Sequence, residues 1–403
     1  METPPRPIEI LTLNAGSSSL KFAVHRLEKT EVRILSGACE GIGSRHGQFH
    51  VRDQAGRPLI QQAGTPASHA AAAQLVLKWL RRAPGHENWR GIGHRIVHGG
   101  LRYGHPAEVT PAMTEELSRI GRLDPEHLGP ELTALQAAAQ AFPRLPQIAC
   151  FDTAFHRRMP RVAQMHPLPR KWFKKGLVRF GFHGLACESV LEDLRREGRP
   201  GEASGRIILA HLGSGASMTA VRGGVGIDTT MGFMPNGGLM MATRPGDLSP
   251  GVLLDLMLEQ KLSAREVNKM VNLHSGLLGV SGLSGDMREL LAAAPTHAGA
   301  AEAIDLFCYT ARKHLGALAA VLGGLDTLVF SGGIGENAPA VRRRLCQNLE
   351  FLGLRLDQQK NRRNAALISA PRSAVAVRVI HADEELVIAR NVGRWLRPRQ
   401  GAA

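Results

Sequence analysis

Two stretches of the chain share one pattern of apolar and polar positions. Residues 8–13 are mainly apolar, a glycine and three serines follow at positions 16–19, and residues 20–24 are rich in strand formers. This pattern predicts two strands joined by a tight turn. A Walker A loop instead reads GxxxxGK[ST] and opens a helix. The segment therefore predicts a β-hairpin, and its hydroxyls, close backbone N–H groups and lysine suit a phosphate chain.

The second stretch, residues 207–221, repeats the order of strand, Gly/Ser turn and strand. One such turn is a weak indication, but two in one chain favour an internally duplicated architecture. A third glycine group, at 332–335, follows a buried-type strand and precedes a helical pattern at 339–349. We interpret this group as a tight turn against a nucleoside. A dinucleotide-binding fingerprint is disfavoured, because Ala338 stands where the third glycine belongs.

Longer segments with helical periodicity lie between these hairpins. They predict helices at 67–82, with Ser68 as a candidate cap, and at 114–123, 187–197, 263–273 and 300–322. Hairpins followed by alternating helices and strands, twice over, predict an α/β chain in two lobes. The length of 403 residues also favours two domains.

The composition narrows the classes of partner. The net charge is +15, but the basic residues are scattered, and their densest runs are 170–175, 342–344 and 362–363. This distribution favours solvated basic faces that attract small anions over a nucleic-acid surface, which remains a weaker alternative. The five cysteines form no CxxC pair, which predicts reduced, mostly buried thiols. No signal peptide or membrane span is expected, so we predict a cytoplasmic protein without a membrane partner.

Five further segments concentrate arginine, histidine and acidic residues beside glycines: 93–100, 151–156, 179–184, 228–247 and 381–385. Each has a simpler explanation, since a lone histidine is more often structural and a lone aspartate at a strand end is more often a cap. Their spacing matches no zinc site. Together, however, phosphate-binding loops, strand-end arginines and metal-competent carboxylates are the residues that phosphoryl transfer requires.

At this point the motifs are similar to those of a known family. The chain resembles the acetokinase family, the acetate kinases of the sugar-kinase/Hsp70/actin superfamily, over nearly its whole length. The resemblance rests on residues 14–21, 94–100, 151–156, 180–184, 211–217, 228–247, 275–288, 332–337 and 384–390. It implies a two-lobed, duplicated, ribonuclease H-like α/β fold with β-hairpin phosphate loops. The first lobe would span 1–150, with 386–403 packing back on it, and the second 151–385, with the nucleotide site and a dimer interface.

The resemblance also implies residue roles. Asn14 and Glu384 would hold Mg²⁺, for which Mn²⁺ can substitute. Asp152, His183 and Arg244 would be catalytic. The substrate carboxylate would be bound by Arg95, and its methyl group by Val97, Phe182 and Pro235. ATP would contact Ser17, Ser19, Lys21, His211, Leu212, Gly213, Ser214, Gly215, Asp286, Met287, Arg288, Gly333, Ile334, Gly335, Glu336 and Asn337.

The implied activity is reversible, ATP- and Mg²⁺-dependent phosphorylation of acetate to acetyl phosphate by direct in-line transfer, carried out by a homodimer. A kinase for propionate, butyrate or another short carboxylate is the near alternative. A non-catalytic nucleotide switch of the actin/Hsp70 type is the alternative from another class, and it would not need Arg95, Asp152 and Arg244.

The sequence departs from the family pattern at several positions. In the usual HLGNGAS, Ser214 replaces the asparagine. In GTRSGDIDP, Pro245 replaces the serine after the arginine, and in FHGTSH, Cys187 replaces the last histidine. The usual LAPLHNP reads LDPEHLGP at 123–130, which puts Glu126 where the family has an apolar residue of the methyl pocket. Either a local shift of the backbone turns Leu128 inward, which we favour, or the acceptor is not plain acetate.

Overall fold

The computed structural model describes residues 8–44, 47–64, 66–121 and 125–397. Their contacts divide the chain into two compact units. The first unit consists of two segments, one that ends at Ala154 and one that begins at Asp383. The second unit spans Phe155–Ala382. Leu123 and Asp124 of the LDPEHLGP motif lie outside the described residues.

The first unit is a mixed sheet with four helices. Its strands are β1 (Ile8–Ala15), β2 (Ser19–Leu27), β3 (Val32–Glu40), β4 (Gln48–Asp53), β5 (Pro58–Ala63), β6 (Trp89–Ile96), β7 (Ala107–Glu108) and β8 (Gln147–Phe151). Its helices are α1 (His69–Leu80), α2 (Pro111–Ile120), α3 (Pro125–Ala141) and the C-terminal α15 (Glu384–Leu396). The strand order is β5-β4-β3-β2-β1-β6-β8-β7.

The second unit contains a smaller sheet and more helices. Its strands are β9 (Arg206–Leu212), β10 (Ala216–Arg222), β11 (Val225–Thr229), β12 (Thr327–Ser331) and β13 (Ala376–Val379), in the order β11-β10-β9-β12-β13. Its helices are α4 (Arg161–Gln164), α5 (Arg170–Lys174), α6 (Gly184–Glu197), α7 (Pro250–Leu258), α8 (Ala264–Leu273), α9 (Gly276–Ser281), α10 (Met287–Ala293), α11 (Ala298–Leu322), α12 (Gly332–Asn337), α13 (Pro339–Cys346) and α14 (Gln358–Arg362).

The two sheets share one core topology. In the first unit β3, β2 and β1 are antiparallel neighbours, and β6 and β8 continue the sheet parallel to β1. In the second unit β11, β10 and β9 are antiparallel, and β12 and β13 continue parallel to β9. The predicted α/β fold with internal duplication and two β-hairpin loops is therefore confirmed.

Local sequence explains most of these elements. The hairpin of β1 and β2 buries Leu11, Leu13, Phe22 and Val24, which belong to one hydrophobic cluster with residues of helix α1. Helix α1 starts where Ser68 accepts the N–H of Ala71 at 3.3 Å, as the sequence predicts. Helices α6, α8 and α11 lie within three residues of their predicted bounds.

Two details of the prediction are wrong. Residues 332–335, expected to form a tight turn, lie in the short helix α12, whose first residue, Gly332, has a positive φ of 76°. The helix predicted at 114–123 starts earlier, at Pro111, because Thr110 caps it by accepting the N–H of Met113.

Two further features are the state of the cysteines and the character of the helices. Each of the five cysteines is a buried thiol. Among the described residues, no helix combines the length and apolar character that a membrane crossing requires.

Candidate functional site

The first group of candidate residues lies where three parallel strands of the first unit end. Strands β1, β6 and β8 run parallel and adjacent, with Leu13 opposite His94 and Arg95 opposite Cys150. Asn14, Arg95 and Asp152 therefore emerge at the same edge of the sheet. The carboxyl ends of parallel strands are the usual place for ligand sites in α/β sheets.

Arg95 joins this group into one charge network. Its Nη2 and Nε donate to Asp152 Oδ2 at 2.6 and 3.1 Å, and its Nη1 donates to Asn14 Oδ1 at 3.3 Å. Glu384 Oε2 lies 3.6 Å from Arg95 Nε. Asp152 is fully buried, so its charge depends on the guanidinium. Burial lowers the pKa of Arg95, but the charges of Asp152, Glu384 and Glu131 outweigh burial and raise it overall.

Helix α15 supplies Glu384 from the far end of the chain. Asp383 caps this helix by accepting the N–H of Leu386, and Glu384 follows in the first turn, where Asn14 Nδ2 donates to its Oε2 at 3.3 Å. The helix comes this close because β6 has a glycine beneath it. A Cβ on Gly93 would lie 2.3 Å from Ile388 Cγ2. Burial raises the pKa of Glu384 above its usual value, despite the opposing charge of Arg95.

This oxygen-rich group fits a magnesium ion in part. Mg²⁺ is usually held by one or two carboxylates, with phosphates and water completing its shell. Asn14 Oδ1 and the carboxylates of Glu384 and Asp152 are donors of that type. No set of three His, Cys, Asp or Glu side chains in the described ranges is arranged for a metal. The protein therefore offers a partial shell that suits a nucleotide-bound ion.

The turn between β1 and β2 presents backbone and hydroxyl groups. Gly16 N–H donates to Ser19 O at 2.8 Å, and Ser17 and Lys21 are exposed. His69, at the start of α1, contacts Gly16 O through Nε2 at 2.9 Å. Sequence analysis missed His69, because nothing in its local pattern indicates a contact with a turn 53 residues earlier.

Two positions that the family resemblance assigns to the methyl pocket, Val97 and Glu126, lie in the first unit. Val97 is buried, and its N–H donates to the buried carboxylate of Glu131 at 2.9 Å. Glu126 is exposed, whereas Leu128 is completely buried. Leu128 thus points into the protein, and its place in the methyl pocket stays a prediction. Glu131 is a buried acid that sequence analysis did not single out.

In the second unit, the same strand positions carry histidine and serine. His211 on β9 lies opposite Ser331 on β12, and His211 Nδ1 contacts Ser331 Oγ at 3.2 Å. His183 precedes α6 with a φ of 59°, and its Nδ1 contacts Ser217 Oγ at 3.0 Å. The rings of His183 and His211 have centroids 4.8 Å apart. Ser217 and Ser331 therefore orient the two imidazoles.

The turn between β9 and β10 lies against Arg244. Gly213 N–H donates to Gly215 O at 2.9 Å, and Ser214 O accepts the N–H of Ala242 at 3.0 Å. A Cβ on Gly215 would lie 2.9 Å from Arg244 Nη2 and 3.1 Å from His183 Nε2. Only glycine leaves the guanidinium of Arg244 and the imidazole of His183 this close to the turn. Arg244 also donates to Pro235 O at 2.5 Å.

Helix α12 carries the predicted adenosine loop, Gly333–Asn337. The carboxylate of Glu336 accepts the Gly332 N–H at 2.8 Å and contacts His381 Nδ1 at 2.9 Å. Asn337 Nδ2 donates to Gly333 O at 3.1 Å. These two side chains hold the loop, and Gly333, Ile334 and Gly335 present backbone. His381 is placed by β13, the strand parallel to β12.

Arg342 fixes the far end of the same loop. Its fully buried guanidinium donates to Gly335 O and Glu336 O at 2.8 Å, and to oxygens of Asn361 and Asn364 at 2.6–2.8 Å. Burial lowers its pKa to about 10, which still leaves the cation protonated near neutral pH. Sequence analysis counted Arg342 only as part of a basic run.

The remaining predicted residues make local contacts. Asp286 caps α10 by accepting the N–H of Arg288, and the two side chains form an ion pair at 2.5 Å. Met287 is buried. Phe182 is buried too, and its carbonyl contacts His156 Nε2 at 2.9 Å. Leu212 is buried within β9, so it offers a nucleotide only backbone.

Two histidines of the polar segments, His94 and His98, have structural roles. His94 contacts Gln147 Oε1 at 2.6 Å, and burial lowers the pKa of His94 to about 4. His98 Nδ1 accepts the N–H of Gly100 at 2.9 Å. These residues stabilise the strand ends that carry Arg95 and Asp152.

The chain is similar to known proteins over nearly its whole length. Residues 9–390 match the model of the acetokinase family. An acetate kinase of Rhodopseudomonas palustris (strain ATCC BAA-98 / CGA009) is 44% identical over 391 residues, which cover 96% of this chain and 98% of that one. A propionate kinase of Citrobacter rodentium is 40% identical over 397 residues, 96% of each chain.

A solved structure gives the same result for the fold. The acetate kinase of Porphyromonas gingivalis superposes with a TM-score of 0.84 at 34% identity, covering 97% of this chain and 100% of that one. Family match, identity and superposition all extend over nearly the whole chain. The chain belongs to the acetokinase family.

Proposed function

We propose that this protein transfers the γ-phosphoryl group of ATP to a short-chain carboxylate, with acetate as the leading acceptor, and that it catalyses the reverse reaction. The single observation that carries the proposal is the strand-end network of Asn14, Arg95, Asp152 and Glu384. It sets a buried cation among metal-competent oxygens. Family membership supports the same reaction.

The nucleophile needs no base. Carboxylic acids titrate near pH ~4–5, so the acceptor is already an anion at neutral pH. Arg95 would bind it in a bidentate fashion, as guanidinium groups bind carboxylates. Asp152 would orient Arg95 rather than accept a proton, since it already receives two hydrogen bonds from that guanidinium.

The main barrier is the approach of an anion to a polyphosphate. Mg²⁺, when bound to the nucleotide, would neutralise phosphate charge, and Asn14 and Glu384 would hold it, with Mn²⁺ as a substitute. Lys21, Ser17 and Ser19 of the first turn would contact the phosphate chain. In-line transfer would then proceed without a phosphoenzyme.

The second unit would supply the remaining donors. The backbone of His211–Gly215 would surround the β- and γ-phosphates, and His183 and Arg244 beside Gly215 would stabilise the transferring phosphoryl group. The adenosine would rest against the backbone of Gly333–Gly335 and against Asp286–Arg288. Glu336 and Asn337, assigned to ATP by resemblance, would act by holding that loop.

The acceptor is the part of the proposal that has a rival. The relatives include a propionate kinase as well as acetate kinases. A methylene group changes selectivity by only ~1–3 kcal/mol, so longer acids compete easily. The exposed Glu126 and buried Leu128 favour an apolar pocket and hence plain acetate or propionate.

A hydroxamate assay with ATP and Mg²⁺ tests the proposal. Acetate, propionate and butyrate are compared for the natural chain and for Glu126→Leu. We expect acyl phosphate from acetate at the highest kcat/KM, and a change of less than about twofold for Glu126→Leu, because an exposed carboxylate is solvated. Equal use of longer acids would contradict the acetate assignment. ATP binding without any acyl phosphate would favour the nucleotide switch.

We also propose a cytoplasmic homodimer. A kinase that uses ATP works where ATP is available, which places it in the cytoplasm. Helix α7 buries none of its residues although it is apolar, and Val252, Leu254 and Leu258 are 46–59% exposed. A second copy of the chain would cover this face. Light scattering of the natural chain and of Leu254→Glu tests this, with a monomeric natural chain as the contrary result.

A further inference from the structure

One segment of the second unit has a charge distribution that the proposed reaction does not use. We name residues 155–180 the basic segment. Between Asp152 and Glu188 the chain has no acidic residue, while residues 157–179 contain five arginines and three lysines. Such a concentration is unusual even for a protein of net charge +15. It produces a strongly positive local surface.

Most of the charges of the basic segment have no ion-pair partner among the residues that the structure describes. Six of them are exposed and form no ion pair within the described ranges: Arg158, Arg161, Arg170, Lys171, Lys174 and Lys175. Arg179 differs, since it lies 3.7 Å from Asp228 and donates to Thr229 O at 2.5 Å. Arg179 thus attaches the segment, Arg157 is half-buried, and the six other cations are exposed to solvent.

The same segment exposes apolar side chains. Val162 is 82% exposed and Leu168 51%, and neither α4 nor α5 buries any residue. An isolated antiparallel β-bridge between Met165 and Val178 closes the loop that contains Leu168 and α5. Aliphatic side chains this exposed project outward, which suits insertion into a deformable surface.

Its aromatic rings do not favour nucleic acid. Lys171 and Lys175 lie 5.4 and 5.1 Å from the ring centroid of Trp172, and Arg161 lies 5.0 Å from that of Phe173. Binding of single strands relies on open aromatic faces on which bases stack. Here cations occupy positions over the rings. A tryptophan flanked by lysines is typical of the interface between lipid headgroups and water.

In place of the expectation from the sequence that the protein has no membrane partner, we propose that the basic segment binds the surface of an anionic phospholipid bilayer. Val162 and Leu168 enter the headgroup region, Trp172 lies at its boundary, and the lysines and arginines contact lipid phosphates. Surface binding of this kind needs no membrane-crossing helix. It is independent of the proposed kinase reaction.

Vesicle co-sedimentation of the full chain tests this. Vesicles of phosphatidylcholine alone are compared with vesicles containing about 30% phosphatidylglycerol, in about 0.1 M salt. We expect at least roughly tenfold stronger partitioning onto the anionic vesicles, lost at about 1 M salt. Lys171→Gln/Lys174→Gln/Lys175→Gln should abolish that preference, and Val162→Ser/Leu168→Ser should weaken binding at unchanged charge.

The matched control removes the same charge elsewhere in the second unit. Arg343→Gln/Arg362→Gln/Arg363→Gln changes three exposed arginines outside the basic segment and should bind like the natural chain. Circular dichroism and thermal melting establish that every variant folds. Equal binding to both vesicle types, or equal loss in the control, overturns the proposal. Retention of single-stranded DNA without vesicle binding also overturns it, in favour of a nucleic-acid surface.

Discussion

The two units share one strand topology, but the ends of their matching strands carry side chains of different chemistry. In the first unit, the ends of β1, β6 and β8 bear Asn14, Arg95 and Asp152, a buried ion pair with metal-competent oxygens. In the second, the ends of β9, β12 and β13 lead to His211, Ser331 and His381, which are imidazoles and a hydroxyl. The duplicated backbone supplies the same positions twice, and the side chains alone decide what each can bind.

The comparison teaches how each unit keeps its site in place. The first unit balances charges: Arg95 lies among three carboxylates that raise its pKa. The second unit relies on glycine and backbone: Gly215 allows Arg244 and His183 to approach, and Arg342 binds carbonyl oxygens. Loss of a cation should therefore affect stability differently in the two units.

The largest expected effects concern Arg95 and Arg244. Removal of either side chain to alanine should lower kcat/KM by roughly 10²–10³, or ~2.7–4 kcal/mol, because each is proposed to stabilise transition-state charge. Arg95→Ala should also cost about 3–5 kcal/mol of unfolding free energy, since it leaves the fully buried Asp152 without its cation. Arg244→Ala should cost less, on the order of 1–3 kcal/mol. Steady-state kinetics and urea unfolding measure both quantities.

The control for this pair is Arg90→Ala, which removes an exposed arginine from the strand that carries Arg95. Its kinetics should match those of the natural chain. Equal losses of stability in Arg95→Ala and Arg244→Ala would show that the two units do not differ in the way described.

An intermediate effect is expected at Arg342. Lysine in its place cannot reach the carbonyls of Gly335 and Glu336 and both asparagines together, so the loop of α12 should loosen. We expect KM for ATP to rise roughly tenfold, with little change in kcat or in KM for acetate. Arg343→Lys, one position along and exposed, is the matched control. A fall in kcat at unchanged KM for ATP would assign Arg342 a different role.

The smallest effect concerns pH and is expected in both units. Burial lowers the pKa of His25 and His94 in the first unit, and of His156 in the second, from 6.5 to about 4. Each imidazole is then neutral when folded and charges more readily when unfolded. Their contribution to stability is complete above pH 6.5 and is lost as the pH falls towards 4.

Hydrogen exchange between pH 6.5 and 4.5 measures that loss in each unit. Both units should lose protection, because burial also lowers the pKa of His166 and His314 in the second unit. His94→Gln should reduce the slope in the first unit by up to about 1.4 kcal/mol per pH unit, and the exposed His105→Gln reports the general effect of losing an imidazole. An unchanged slope in His94→Gln would contradict the assignment.

Much of the fold was predictable because its determinants are local. Alternation of apolar residues and the Gly/Ser turns identified both hairpins, and caps such as Ser68 located helix starts. The family followed from ordered motifs, and the comparisons confirm it. The roles of the individual site residues stay predictions, although the structure brings Asn14, Arg95, Asp152 and Glu384 together.

The sequence by itself determined the hairpins, the helices, the duplication and the family, because these depend on neighbouring residues and short motifs. Only the tertiary structure decided which distant groups meet. Asn14 and Glu384 are 370 positions apart and touch because α15 packs on the glycines of β6. Glu126 and Leu128 are two positions apart, yet one is exposed and the other buried. Long-range contacts and burial depend on register and packing, which no local pattern encodes.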